Sequence, residues 1–348
     1  DRHNRRLYSV VSRLQCTAMP PKTYMARVCM SPLPHRITWF DRLNASALML
    51  VSPEWPAMEL LRRASRGRRP PRTTAVTMPL ESDTVCGVKV RFARGGRTDG
   101  PTVLLLNPLP QSIVAFDSIW QILGRDFRLV AYDLPGFGGS EGGEDWMSFS
   151  RQAAFLADFI AAKGIDNPHI VAPDIGMPTA LAYAAQTDCR AKSLMVGDGP
   201  CMVASSNGSL IEKIIHSAFW RAVMQVAGPG AGIEGAYRLC YVNYQPSPEE
   251  TSDYIAGLAG RMNNMFRWFI DYPKSLAWLE PLLPKVTLPT KIFWGDADKL
   301  LFVDNGTRLA EVLPNASLAI LPNCGHFSYQ DQAERFAAMV REWVVEHE

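Results

Sequence analysis

Three side chains in this sequence have the types and order to do covalent chemistry: Asp174, Asp298 and His326. Asp174 stands in His169-Ile-Val-Ala-Pro-Asp-Ile-Gly-Met-Pro-Thr-Ala-Leu-Ala-Tyr183. A short apolar strand, about Ile170 to Ala172, runs into Pro173-Asp174-Ile175-Gly176, and a small-residue helix, Thr179 to Ala185, leaves it. This is the strand, sharp turn and helix of a nucleophile elbow, with the usual G-x-Ser-x-G replaced by Ala172-x-Asp174-x-Gly176. Such a turn lifts its central side chain above the sheet, where the helix N-terminus stabilises negative charge. A serine must lose a proton before it attacks. A carboxylate is already an anion and can displace a leaving group from saturated carbon, which leaves an alkyl ester on the chain. Hydrolysing that ester requires a base for water, and His326, in Asn323-Cys-Gly-His326-Phe, has a side chain that titrates near neutrality. A second carboxylate would hold the imidazole in one tautomer: Asp298, in Gly295-Asp-Ala-Asp298, or alternatively Asp198, in Val196-Gly-Asp-Gly199. The plainer readings are a helix cap for Asp174, a loop histidine, and loop or capping acids.

Residues of that kind act only when a scaffold holds them, and the chain from residue 81 supplies a βαβ pattern. Thr84 to Phe92 reads as an edge strand, Thr102 to Leu106 as a buried parallel strand, and Phe127 to Tyr132 as the next. Ser148 to Lys163 is an amphipathic helix stopped by Gly164, and Lys192 to Gly197 is the strand after the elbow. Residues 200–285 break the alternation with a helical stretch rich in Trp, Tyr and Met. The rhythm resumes with a strand at Thr290 to Gly295, a helix near Asn305 to Val312, a strand at Ser317 to Leu321 and a last helix from Gln330 to Val345. Alternation of this sort predicts a mostly parallel, doubly wound α/β sheet. The expected division is a core of residues 81–199 and 286–348, with 200–285 as a helical cap.

Composition narrows the function classes. Residues 1–80 carry 14 Lys and Arg against 4 Asp and Glu, and the remainder carries 22 against 30, so the net +2 hides a basic leader and an acidic body. The body offers no case for nucleic acid. The leader is expected to be mostly disordered, with a local helix within Trp39 to Val51. Its Arg-rich, acid-poor composition is that of a transit peptide, although translated upstream sequence ahead of a start at Met58 or Met78 is the preferred reading. No apolar run reaches the roughly 18 residues of a membrane span, so no membrane partner is expected. The seven cysteines are scattered without a C-x-x-C, which points to reduced thiols, a cytoplasmic protein and no metal or cofactor. Gly136-Phe-Gly-Gly139 lacks the Lys-Ser/Thr of a nucleotide loop.

Over roughly residues 84–346 the chain resembles the α/β-hydrolase family. The resemblance rests on Asp133-Leu-Pro-Gly-Phe-Gly-Gly-Ser140, the elbow at Asp174, Gly295-Asp-Ala-Asp298, Asn323-Cys-Gly-His326-Phe, and the order nucleophile, acid, histidine. An Asp at the elbow is similar to the branch that holds epoxide hydrolases and haloalkane dehalogenases. The resemblance implies an α/β-hydrolase fold with an inserted lid, Asp298 at the commoner acid position, and oxyanion donors at the amides of Ile175 and Leu109. Leu109 lies in Asn107-Pro-Leu-Pro-Gln-Ser112, where Asn107 and Pro108 depart from that branch's His-Gly-x-Pro loop. Ile175 departs from the Trp with which haloalkane dehalogenases hold a halide. That shifts weight to epoxide opening, in which lid tyrosines protonate the ring oxygen; Tyr237, Tyr241, Tyr244, Tyr254 and Tyr272 are the available ones. The expected substrate is a small or medium apolar molecule: an epoxide first, a haloalkane second. A non-catalytic apolar-ligand binder on the same fold is the reading from another class. Oligomeric state is not legible.

Overall fold

The elbow strand lies in the middle of an eight-stranded sheet, seen in a computed structural model that describes residues 35–50, 52, 54–64 and 75–348. The strands are β1 (Leu80–Val85), β2 (Val88–Gly96), β3 (Thr102–Leu106), β4 (Arg128–Tyr132), β5 (His169–Pro173), β6 (Ser193–Gly197), β7 (Thr290–Gly295) and β8 (Ala316–Leu321). Their order across the sheet is β1-β2-β4-β3-β5-β6-β7-β8. The pairs β1–β2 and β2–β4 are antiparallel, and all others are parallel. Every residue of β5 and β6 is buried, because helices cover both faces of the parallel part. The chain therefore has the α/β-hydrolase fold.

The helices are α1 (Trp39–Met49), α2 (Trp55–Ala64), α3 (Asp117–Leu123), α4 (Phe149–Ala162) and α5 (Gly176–Ala184) ahead of β6. Between β6 and β7 come α6 (Leu210–His216), α7 (Ala218–Cys240), α8 (Pro248–Leu258), α9 (Met262–Ile270) and α10 (Tyr272–Leu279). The chain closes with α11 (Asp304–Val312), α12 (Ser328–Asp331) and α13 (Ala333–Glu346). Caps account for several starts. Ser148 accepts from the Arg151 amide at the head of α4, and Ser247 with Glu250 forms a capping box on α8.

Three local expectations are corrected. The stretch read as one edge strand is a hairpin: Cys86 and Gly87 both have positive φ (46° and 81°), the backbone of a tight two-residue turn that period-2 counting runs straight through. The last helix is two, since Gln332 leaves the helical region at φ −137°, ψ 57°. Within the leader, α1 falls on the expected local helix, but α2 is an ordered helix where composition pointed to disorder, and both pack on α7. Apolar side chains of α1 find a partner surface 180 residues downstream, which composition does not register. The rest of that leader lies outside the described residues, as do Cys16 and Cys29.

Gly176 shows how tightly the elbow is built. A Cβ there would stand 2.9 Å from the Leu106 Cβ and 3.2 Å from the Leu106 carbonyl oxygen. Gly176→Ala must therefore push β3 away from α5, and should lower stability by about 1–3 kcal/mol in urea unfolding. An unchanged midpoint would mean that the elbow gives way freely.

Candidate active site

The strained corner of the site is Asp174 itself. Its φ is +48°, a left-handed backbone that a non-glycine residue holds only when its surroundings impose it. The turn follows directly on β5, and the Met177 amide closes it on the Asp174 carbonyl at 3.1 Å. Asp174 is 4% exposed, and its side chain reaches an apolar cavity. One carboxylate oxygen, Oδ2, accepts the Leu109 N–H at 2.5 Å. The other, Oδ1, lies 3.6 Å from His326 Nε2. That distance is too long for a hydrogen bond. Nε2 is buried and has no hydrogen-bond partner among the described residues, so it stands beside Oδ1 with its ring nitrogen left for another group to engage.

His326 leaves the turn after β8 with its ring fully buried, and Nδ1 is 2.7 Å from Asp298 Oδ2. Asp298 is fixed in turn, because Oδ1 accepts the Leu300 and Leu301 amides at 2.8 and 3.0 Å. The alternative acid, Asp198, also has a left-handed backbone (φ +47°), but its oxygens accept the Gly295 amide and the Ser328 hydroxyl instead of the imidazole. Burial and then the charge of Asp298 push the Asp198 carboxyl well above its usual range. Burial alone would strip the proton from His326, but the charges of Asp298 and Asp174 outweigh it and hold the imidazolium well above the ordinary histidine range. Ile175, the other expected oxyanion donor, is buried at the start of α5.

A pH prediction follows from those charges. Asp174→Asn removes one of them, so His326 should titrate at lower pH in the variant, read from its ring signals by NMR. The stabilisation tied to that raised pKa is complete below the unfolded value of about 6.5 and is lost as pH rises through the folded one. Unfolding free energy should fall across that window, and fall less in the variant. A histidine that titrates unchanged would show that the ring does not sense Asp174.

Residues that motif reading passed over position this group. Asn107 Oδ1 accepts the Leu134 amide at 2.7 Å, which ties the Leu109 loop to the end of β4. Gln111 donates to Tyr241 (2.5 Å) and Gln330 (2.6 Å) and accepts from Tyr329. Asp331 accepts the Gly325 amide at 2.8 Å and the amides of Asn243 and Tyr244 at 2.6 and 2.9 Å, so it fixes the histidine loop to the chain leaving α7. Nothing local in the sequence marks Gln330 or Asp331, since apart from Gly325 the partners named here lie about 90 to 220 residues away. Among the described residues no group of three or more His, Cys, Asp or Glu is placed to hold a metal, and no helix is long and apolar enough to cross a membrane.

The cavity above Asp174 is lined by the Leu109–Pro110 loop and by apolar residues of α1, α6, α7, α8 and α9, including Leu258, Met262, Met265 and Phe269. Its volume is about 90 Å³. A water needs about 10–15 Å³ on that measure, so the space suits a ligand of roughly six to nine non-hydrogen atoms. None of the five tyrosines named above is in the lining. Tyr237, Tyr241, Tyr244 and Tyr254 instead engage Thr251, Gln330 and Glu250. Tyr272 differs: its oxygen accepts the Trp268 N–H at 3.2 Å. Burial, and after it the Asp174 charge, raise its pKa well above the phenol range.

Comparison with known proteins agrees with the architecture. Residues 103–339 match the Alpha/beta hydrolase family, and the chain belongs to that family. A human monoacylglycerol lipase is 23% identical over 262 residues, covering 72% of this chain and 77% of the lipase. A 2-hydroxy-6-oxononadienedioate/2-hydroxy-6-oxononatrienedioate hydrolase of Dechloromonas aromatica is 26% identical over 239 residues, covering 64% of this chain and 78% of that protein. Among solved structures, a haloalkane dehalogenase from Bradyrhizobium elkani superposes with a TM-score of 0.67 at 22% identity, covering 77% of this chain and 97% of its own. An epoxide hydrolase from Vigna radiata gives 0.64 at 17% identity, covering 78% and 99%. Likeness at those identities establishes the fold, and the chain is a hydrolase of that fold.

Proposed function

We propose that this hydrolase works through a covalent ester on Asp174, on a small apolar electrophile, with an epoxide as the leading substrate class. The observation that carries the proposal is the division of labour between the two oxygens of one carboxylate. Oδ2 is held by a backbone amide, and Oδ1 faces both the cavity and an unpartnered imidazole nitrogen. Oδ1 attacks a saturated carbon in line with the departing group, forming one C–O bond as the other bond breaks. Water then gives a proton to His326, with Asp298 holding the ring, and the hydroxide adds to Cγ of the ester. Negative charge grows on Oδ2, where the Leu109 N–H, joined by that of Ile175, receives it. Collapse expels the alcohol, which takes the proton back from His326; the second proton of the water leaves the new carboxylic acid, which restores the Asp174 carboxylate and supplies the proton that any acid spent in ring opening must regain. Ester formation also neutralises Asp174, which weakens the hold on the His326 proton and readies the ring to act as base.

Ring opening leaves an alkoxide that needs a proton, and His326 sits on the attacking side, where it does not reach the departing oxygen. Tyr272 is the candidate donor, since its oxygen accepts from Trp268 and the Asp174 charge acts on it directly. The haloalkane reading has its own support: among the described residues no tyrosine lines the cavity, and a halide departs without a proton. Turnover of 1,2-epoxyhexane and 1-bromohexane separates the two, as both are within the size limit. Tyr272→Phe should lose about 10²–10⁴-fold on the epoxide and keep whatever rate the bromide shows. An unaffected epoxide rate removes Tyr272 from the mechanism. A wild-type preference for the bromide moves the substrate class to haloalkanes.

A further inference from the structure

We infer that α1, a helix outside the family-matched region, is a wall of the substrate cavity, and that Leu48 and Met49 set the length of molecule it accepts. The inference rests on the reading of that cavity as the substrate's. The second half of α7 presents Ala231, Gly232, Gly235 and Ala236 toward the cavity, and side chains so small cannot close it. The missing volume comes from α1. Leu48 and Met49 are 7% and 3% exposed, pack against Ala231, and belong to the same lining as Asp174. The fit is close: a Cβ on Gly235 would come within 3.2 Å of the Met49 Cε.

Polar contacts hold the helix in place. Arg238 of α7 donates from Nη1 to Ser46 Oγ at 2.7 Å and from Nη2 to the Arg42 carbonyl at 3.3 Å, while Glu234 fixes its Nε at 2.7 Å. A capping box between Thr38 and Asp41 starts α1, and Asp41 sits where a Cβ on Gly230 would strike its carboxylate at 2.6 Å. The approach depends on a break in α7. Gly228, at φ 84° and ψ 172°, interrupts the helix ahead of Pro229 and redirects residues 229–240. Small residues on one helix, large apolar residues on the other and a side chain tying them together amount to a fitted interface in which α1 supplies the bulk that closes the pocket on this side.

The test uses binding of straight-chain 1-alkanols, butanol to dodecanol, to the full chain by calorimetry, because binding needs no chemistry at Asp174. Affinity should tighten by about fourfold per methylene until the cavity is full and then stop. Met49→Ala should move that limit up by about two carbons, and Met49→Trp should move it down. Opposite shifts from two folded variants, checked by circular dichroism, are not a consequence of general destabilisation. The same limit in all three proteins, or no alkanol binding at all, overturns the inference. Shifted limits without an ester on Asp174 from any electrophile would preserve α1 as a pocket wall and refute the covalent mechanism instead.

Discussion

His326→Gln protein incubated with 1,2-epoxyhexane or 1-bromohexane should accumulate one alkyl group per chain, visible as an added mass on the intact protein and placed on Asp174 by peptide mapping. Asp174 makes its ester without help from the histidine, because a carboxylate needs no base to attack. Hydrolysis does need one, since water alone is a poor nucleophile, and loss of a general base costs about 10²–10⁴-fold. The second step therefore becomes slow while the first proceeds, and the ester persists. An adduct with the mass of the whole epoxide means ring opening, and one lacking bromine means displacement of halide. Asp174→Asn should give no adduct with either. If the His326→Gln chain stays unmodified and the unaltered chain turns over neither compound, Asp174 is not a nucleophile, and the site is left as an apolar pocket with a histidine beside it.

The next largest effect separates two acids that the sequence cannot separate. Asp298→Asn should lower turnover by up to about 10⁴-fold, because an amide can donate to Nδ1 and strand the imidazole in the wrong tautomer. The carboxylate lies 2.7 Å from Nδ1 with its other oxygen held by two amides, so the defect is electronic and leaves the fold intact. Asp198→Asn should cost less than about tenfold. Its partners are the Gly295 amide and the Ser328 hydroxyl, both of which an asparagine can serve, and asparagine tolerates the left-handed backbone at this position. Burial already favours the uncharged form of Asp198, so the swap removes little charge. Steady-state rates on the best substrate decide the matter. A larger loss from Asp198→Asn than from Asp298→Asn would reverse the assignment of the acid.

Much of the scaffold was legible because it is written in local patterns. Thr290–Gly295 and Thr102–Leu106 are apolar runs with breakers at their ends, and the strands fall on those residues. The elbow is legible for the same reason, as its small residues are demanded by contacts only a few residues or one strand away. Where the local signal is silent, the reading falters. Cys86-Gly87 hides a turn inside an alternating run, and α2 sits in a basic stretch that composition assigns to disorder.

What the sequence determined by itself is the chemistry available: a carboxylate at a sharp turn, a histidine after the last strand, and an acid after the strand before it. Those depend on residue type and order, which the chain states outright. Tertiary structure decided which acid reaches the imidazole, since the backbone places Asp298 and Asp198 at the ends of neighbouring strands and only the folded geometry turns Asp298 toward Nδ1. It also decided that a helix from the first fifty residues walls the pocket. Each is a contact between segments scores of residues apart. Such contacts follow from how surfaces fit after folding, and no local pattern in the chain records them.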